Sequence, residues 1–552
     1  MKYRYFIFII FLAFCNFHKI FSNESTKNIQ IIHANLISNN DHDQIFVLTG
    51  NVHIKYNRYH LFCDKIIYNK KNKKFYGHGN VRLESGKNKI LSHNIVGNYT
   101  GFQLSGKVLL YQKNIKLTAE IINFNFEKKL FQATQNVVLF FDKIKLTTSI
   151  LEYNFLLNQI FYKKNSIIHY GDFTISSKEG FFYIKKKKIE LKYEIQLINK
   201  NYTVYANTLE YLLKQNQINF HNNVIIVQNI NFNNFIYAKK ALFSFQKKIF
   251  LFKDNISIHY NDQIIKGKYL FFDQKKKYGF IRNIFFENSK NILISGYGNF
   301  DFHSNSFSLI LKNNPTIILK NNSVFIYSNI LKINIKKNHT YSIQAFSVNS
   351  FFLNDSIQGK CAVFNYESSN NYLQLDGNPI FLFQNQQITG KVIYIYFNNN
   401  DSVKSVKIVK NAFYTEKINS KEFNQIAGDM MTGFINKENI LEKIMIEGNV
   451  NSIIFFELDR DKKIIHKSYC DLLSIYLDKS KKIRKIFCAK NARSELIPIH
   501  KETPNKFFYL SQFNWIEKQK NDKMLNVYQK IEKYKKENLL ETKTIKTMIK
   551  NK

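Results

Sequence analysis

The chain is predicted to be all-β: an elongated stack of antiparallel strands built from short repeating units, with a helix only near its C-terminal end. Three observations lead there. A phrase of Gly or Asn, then Asn or Lys, then a β-branched residue keeps returning, as Gly50-Asn51-Val52, Gly79-Asn80-Val81, Gly106-Lys107-Val108, Gln135-Asn136-Val137, Asn222-Asn223-Val224, Asp254-Asn255-Ile256 and Gly448-Asn449-Val450. Asn51 and Asn80 are 29 residues apart, and Asn136 and Asn223 are 87 apart, three such steps. A fixed period of about 27–32 residues marks stacked supersecondary units, not one closed globule. Second, the segments between are rich in Ile, Val, Tyr, Phe and Thr, with apolar and polar residues alternating as in a half-buried strand. Third, only 4 Pro and 19 Gly occur in 552 residues, so strands follow one another with little interruption.

The parts of each unit keep register. Ile115-Lys116-Leu117-Thr118 returns as Ile144-Lys145-Leu146-Thr147. A small residue is followed five positions later by an aromatic, as in Cys63 to Tyr68, Ala119 to Phe124, Thr148 to Tyr153, Ala206 to Tyr211 and Ala238 to Phe243. Turn formers such as Asn69-Lys70-Lys71-Asn72 and Lys163-Lys164-Asn165 separate predicted strands of roughly four to seven residues. In Val52-His53-Ile54-Lys55-Tyr56 the apolar set faces one way and His53 and Lys55 the other. Summed over the units, that set makes a continuous apolar stripe. It is either a closed core or, if the stack is open along a seam, a groove for acyl chains.

The formal net charge is +40. Lys, Asn, Ile, Phe and Tyr are inflated together and Lys is spread evenly, so no nucleic-acid partner is inferred. At the N-terminus, Lys2 and Arg4 precede the apolar run Phe6–Cys15, too short to span a bilayer. This reads as a secretory signal peptide over residues 1–22. Of the remaining cysteines, Cys470 and Cys488 fall on neighbouring predicted strands, where a disulfide or two buried thiols fits equally. Cys63 stands where other units carry Ala or Thr. From Ile516 the chain becomes Lys- and Glu-rich, with Met524, Tyr528, Ile531 and Tyr534 at helical spacing, a basic helical tail over 516–552.

No catalytic signature is present: no zinc-protease, nucleophile-elbow or phosphate-loop motif, and no His/Cys spacing suited to a metal. Gly296-Tyr297-Gly298 lacks the third glycine of a dinucleotide site. The expectation is a non-enzyme without cofactor or metal.

These residues resemble the OstA/LptA family of periplasmic lipopolysaccharide-transport proteins. The clearest copy runs from Leu48-Thr49-Gly50-Asn51-Val52 through Cys63-Asp64, where the family usually has Ala-Asp, to Gly79-Asn80-Val81. The second half is similar to long OstA-like proteins of Bacteroidetes-type bacteria, on Gly377-Asn378-Pro379, Ile388-Thr389-Gly390-Lys391-Val392, Ala427-Gly428-Asp429 and Gly448-Asn449-Val450. The resemblance implies a β-jellyroll that holds lipid acyl chains in its interior and joins neighbours end to end. It implies repeats over 23–310 and 311–515, a periplasmic location at the outer-membrane periphery, and lipopolysaccharide or a related glycolipid as ligand. A conduit of this kind leaves Val52, Ile54, Leu61, Val81, Leu83, Ile115, Leu117, Ile144 and Leu146 within reach of lipid; a secreted adhesive β-solenoid, the alternative, closes over them. Partner transport proteins are expected to add strands at Ile45–Leu48 and Phe507–Leu510, where unpaired backbone groups face water.

Overall fold

The computed structural model describes residues 30–536 and Thr547, apart from 41–43, 57–58, 87, 99, 113–114, 142–143, 155, 184, 304–305, 321–323, 339, 354–356, 399–401, 437–439, 460–461, 479–482, 501–502 and 518–524. The expected signal peptide over 1–22 lies outside the described residues. Contacts separate the chain into two compact units, 1–253 and 254–552, whereas the sequence put the division at 310/311. Strand-forming repeats run unchanged through 254–310, so composition carries no mark of the boundary.

In the first unit, successive strands pair antiparallel. Strands β1 (Gln30–His33) and β2 (Leu36–Asn40) both line β3 (Ile45–Tyr56). Then follow β4 (Tyr59–Asn69), β5 (Lys74–Ser85), β6 (Asn88–Asn98), β7 (Gly101–Gln112), β8 (Ile115–Asn125), β9 (Leu130–Phe141) and β10 (Ile144–Asn154). Two strands split at mid-length come next, β11 (Gln159–Tyr162) with β12 (Ser166–Tyr170), and β13 (Phe173–Ser177) with β14 (Glu179–Tyr183). Strands β15 (Lys188–Ile198) and β16 (Tyr202–Leu212) are whole. The split pairs β17 (Gln217–Phe220) with β18 (Val224–Gln228) and β19 (Phe235–Ala238) with β20 (Lys240–Ser244) lead to β21 (Ile249–Tyr260).

The whole strands are longer than predicted, 11 or 12 residues. The reason is that the recurring phrase does not begin a strand; it bends one. Gly50 and Asn51 take φ of 77° and 48°, and Gly79 and Asn80 take 75° and 46°, two successive left-handed residues. Register slips there: Thr49 faces Lys65 and Val52 faces Cys63, so Gly50 and Asn51 together oppose Asp64 alone. This is a β-bulge, which kinks a strand while keeping it paired. Left-handed backbone explains the Gly and Asn. Close approach adds to it, since a Cβ on Gly79 would sit 2.1 Å from Asp64 Oδ2.

The acidic half of the repeat has the same cause. Asn80 Nδ2 donates to Asp64 Oδ2 at 3.0 Å, Asn449 to Asp429 at 3.0 Å and Asn491 to Asp471 at 2.7 Å. The small residue of each unit, which precedes an acid in Cys63-Asp64 and Ala119-Glu120, falls in a buried row at the bend, with Val52 facing Cys63, Val108 facing Ala119, Val137 facing Thr148, and Ala206 facing Val224. Lys163–Asn165, expected as a turn between units, is instead this bend between β11 and β12, where the ladder opens without reversing the chain.

The second unit repeats the design with strands from Gln263–Asp273 to Arg493–Pro498. Cys470 and Cys488 form a disulfide across neighbouring strands, with Cα atoms 6.1 Å apart. The terminal-strand expectation needs correction at both ends. Ile45–Leu48 is covered by β2, so β1 and β2 are the outermost strands there. Phe507–Leu510 lies in a 3₁₀ turn and the irregular segment after it.

That segment is a strap on the outer side of the second unit. Gln425 Nε2 donates to Phe508 O at 2.7 Å, and its Oε1 accepts from Leu510 N at 2.9 Å. Gln387 holds Asn514 O and Ile516 N in the same way, at 2.5 and 2.9 Å. Phe423 packs against Tyr509, Phe513 and Trp515. Residues 525–536 are helical, and Val527 and Ile531 are buried against Phe285, Ile292, Ile318 and Phe325, with Tyr534 stacked on Phe285. The inward stripe is therefore Val527, Ile531 and Tyr534, at i, i+4 and i+7. Tyr528, expected inward, is exposed, and Met524 lies outside the described residues.

Two outcomes are expected. Asp64→Ala, Asn80→Ala and the double variant, compared by urea unfolding, will show a favourable coupling of roughly 0.5–3 kcal/mol; additive losses would mean that the bond contributes nothing to the bend. Gln387→Ala, which leaves backbone groups of the strap unpaired, will shift the emission of Trp515 to the red while circular dichroism stays that of a β protein.

Candidate functional site

Bending every strand at one place aligns its two arms into ladders. On the first arm, Ile54 pairs with Leu61, Leu61 with Leu83, Leu83 with Ile90, Ile90 with Leu110, Leu110 with Leu117, Leu117 with Leu139, Leu139 with Leu146, and Leu146 with Ile168. The nine predicted positions all fall on this arm or at the bend. Val52, Val81, Leu117 and Leu146 are buried, while Ile54, Leu61, Leu83, Ile115 and Ile144 are half-buried. The first group lies deep, and the second lies towards the N-terminal end of the stack or towards the strand ends.

The second arm carries a ladder that the candidate set missed: Leu48, Ile66, Gly77, Ile95, Leu104, Ile122, Ala133 and Leu151. All are buried. A signal for it was present, since Ile66, Ile95, Ile122, Leu151 and Leu209 each stand three residues after the small residue of the bend. Beside it runs a ring ladder: Phe46, Tyr68 and Phe75, then Gly97, then Phe102, Phe124, Phe131 and Tyr153. Tyr68, Phe124 and Tyr153 among them are the aromatics five positions after the small residue. Phe102 and Phe124 stack with centroids 4.3 Å apart.

The wall is electrically neutral. Burial pushes the Cys63 thiol up to about 12, with Asp64 adding to the shift, and raises the Tyr162 phenol to about 12; Tyr153 is raised by burial as well. None of these groups carries charge near neutral pH. Tyr162 shares a 2.6 Å hydrogen bond with Ser177, and Ser166 donates to Thr148 at 2.8 Å, so polar atoms at the split bend are satisfied internally. Burial raises the Tyr211 phenol of β16, and Tyr170 of β12 adds to the shift.

The second unit has a matching ladder, from Leu270, Ile281 and Gly298 through Leu311, Leu331, Ala345, Phe364, Leu375, Ile393, Ile408, Met431 and Ile446 to Leu473 and Cys488. Each unit thus encloses a narrow, uncharged strip lined by aliphatic and aromatic side chains. A linear hydrocarbon matches that surface. Among the described residues no three His, Cys, Asp or Glu come together to hold a metal, and no helix is long and apolar enough to cross a membrane.

The family model described as OstA-like protein matches residues 26–130 and again residues 102–207. No curated protein matches the chain. Among solved structures, LptH of Pseudomonas aeruginosa, described as the LptA-homologous periplasmic component of the lipopolysaccharide transport device, is 10% identical and is covered over 93% of its length by 26% of this chain, at a TM-score of 0.19. That score is too low to carry an argument. The OstA-like resemblance read from Gly50-Asn51-Val52, Cys63-Asp64 and Gly79-Asn80-Val81 therefore stands on the matched repeats of the first unit.

Proposed function

We propose, on the premise that residues 26–207 are OstA-like repeats, that this chain is a non-enzymatic carrier of lipopolysaccharide or a related glycolipid to the outer membrane. The observation that carries the reading is the unbroken apolar ladder from Ile54 to Ile168 on one arm, with the buried second ladder from Leu48 to Leu151 on the other. A lipid crossing water must keep its chains dry, at about 0.8 kcal/mol for each CH₂. A strip of repeating apolar rungs about 4.8 Å apart offers nearly equivalent sites along its length. A lipid can pass along such a strip in small steps without leaving it.

For entry, the arms part at their outer ends, and acyl chains replace contacts that the side chains make with each other. The half-buried Ile54, Leu61, Leu83, Ile115 and Ile144 meet the chains first; Val52, Val81, Leu117 and Leu146 meet them as the arms open further. The Cys470–Cys488 disulfide fits an oxidising compartment such as the periplasm. The exposed Ile31, Ile32, Leu36 and Ile37 on β1 and β2 suit strand addition by a neighbouring transport protein.

Photo-crosslinking residues placed in cells at Ile54, Leu83 and Leu117 are expected to capture glycolipid, most strongly at the half-buried Ile54 and Leu83. Capture at the outward Lys55 alone, with none inside, would favour the closed adhesive solenoid.

A further inference from the structure

The ends of the strands in the first unit form two rims, and the rims differ in chemistry. One carries the turns after β4, β6, β8, β10, β14, β16 and β20. It is largely cationic, with Lys70, Lys71 and Lys73 in one turn, Lys128 and Lys129 in another, Lys185–Lys187 in a third, and Lys247 and Lys248 in a fourth. Leu156, Leu157, Leu213 and Phe245 are its exposed apolar exceptions.

The other rim carries the turns after β3, β5, β7, β9, β12, β15 and β18, and from β9 onward apolar side chains stand out from it. Phe140 and Phe141 end β9, while Tyr170 and Phe173 flank the turn between β12 and β13. Ile230 and Phe232 lie in the turn after β18, at 87% and 63% exposure, and Ile230 is the most exposed large apolar residue described. Two strands separate each turn from the next, so the tips recur about every 9–10 Å.

Behind these tips runs an ordered row of outward side chains. Lys89 pairs with Tyr111, Tyr111 with Lys116, Lys116 with Phe140, Phe140 with Lys145, and Lys145 with His169. Cations and rings alternate strand by strand, with Lys116 Nζ 5.7 Å from the Tyr111 ring and Lys145 Nζ 5.8 Å from the Phe140 ring. Lys89 shares Glu84, and Asp172 is the acid in the β12–β13 turn.

We propose that this rim is a membrane-docking edge whose occupant is the headgroup zone of an anionic lipid bilayer. Apolar tips backed by a row of cations match the two layers of such a surface. The rings enter beside the acyl boundary, and Lys116 and Lys145 meet the phosphates above it. Cations alternating with rings along one edge, with apolar tips beyond them, complement anionic headgroups lying over an acyl layer. The proposal does not rest on the carrier reading, because vesicle docking is measured without any lipid inside the chain.

The test uses the full chain in a Trp515→Phe background, with one new indole at Phe141→Trp, Phe232→Trp or Phe245→Trp, the last being on the opposite rim. Vesicles of phosphatidylglycerol and phosphatidylethanolamine with brominated acyl chains are compared with phosphatidylcholine. The first two probes are expected to shift to the blue and lose at least about half their emission on the anionic vesicles, while the third stays unchanged. The double change Phe141→Ser and Phe232→Ser is expected to weaken vesicle partitioning about tenfold with the β-sheet spectrum intact. Quenching equal at Phe245→Trp, or none at any position, would overturn the proposal. Self-association through the same tips without vesicles would assign the rim to a second copy instead.

Discussion

Everything in this structure depends on the bend at the middle of each strand. Two left-handed residues opposite one would ordinarily interrupt a sheet. Here Gly or Asn tolerates the backbone, an acid on the neighbouring strand takes the Asn amide, and a buried Val-and-small-residue row closes the inside of the corner. Because the left-handed pair recurs in alternate whole strands, β3, β5, β7, β9 and β15, the inward residues of both arms fall into register across the stack. A one-residue slip would turn each ladder towards solvent. The bend therefore organises the interior, and the interior supports the lipid-carrier reading.

The same logic explains which parts of the molecule were legible in the amino-acid sequence. The Gly50-Asn51-Val52 phrase stands out because left-handed backbone admits few residue types. Cys63-Asp64 stands out because only a small residue and a short acceptor fit beside it. The first-arm candidates from Val52 to Leu146 follow directly from that register. The second arm was passed over because Leu48, Ile66 and Leu104 precede the bulge or follow the acid, where the repeated phrase does not reach.

Other features lacked a local signal. Lys163-Lys164-Asn165 has the composition of a turn, and nothing in it says that the chain crosses the bend instead of reversing. Gln387 and Gln425 read as ordinary outward polar residues of alternating strands. They are buried, at 2% and 0% exposure, because a segment more than eighty residues further on lies over them and presents its own backbone to their amides. A long-range partner of this kind leaves no trace in local periodicity. The contact boundary at 253/254 differs from the 310/311 division, and a change of unit without a change of repeat is invisible in composition.

The central claim is that the bends form a fixed spine while the outer ends of the arms yield to lipid. Hydrogen exchange on the empty chain and on chain loaded with purified lipopolysaccharide measures this directly. Amides around Val52, Val81 and Val108 should be equally protected in both states, while those around Phe141–Ile144 and Tyr170–Phe173 change on loading. Opening of the bend amides on loading, or no change in any segment at saturating lipid, would contradict it.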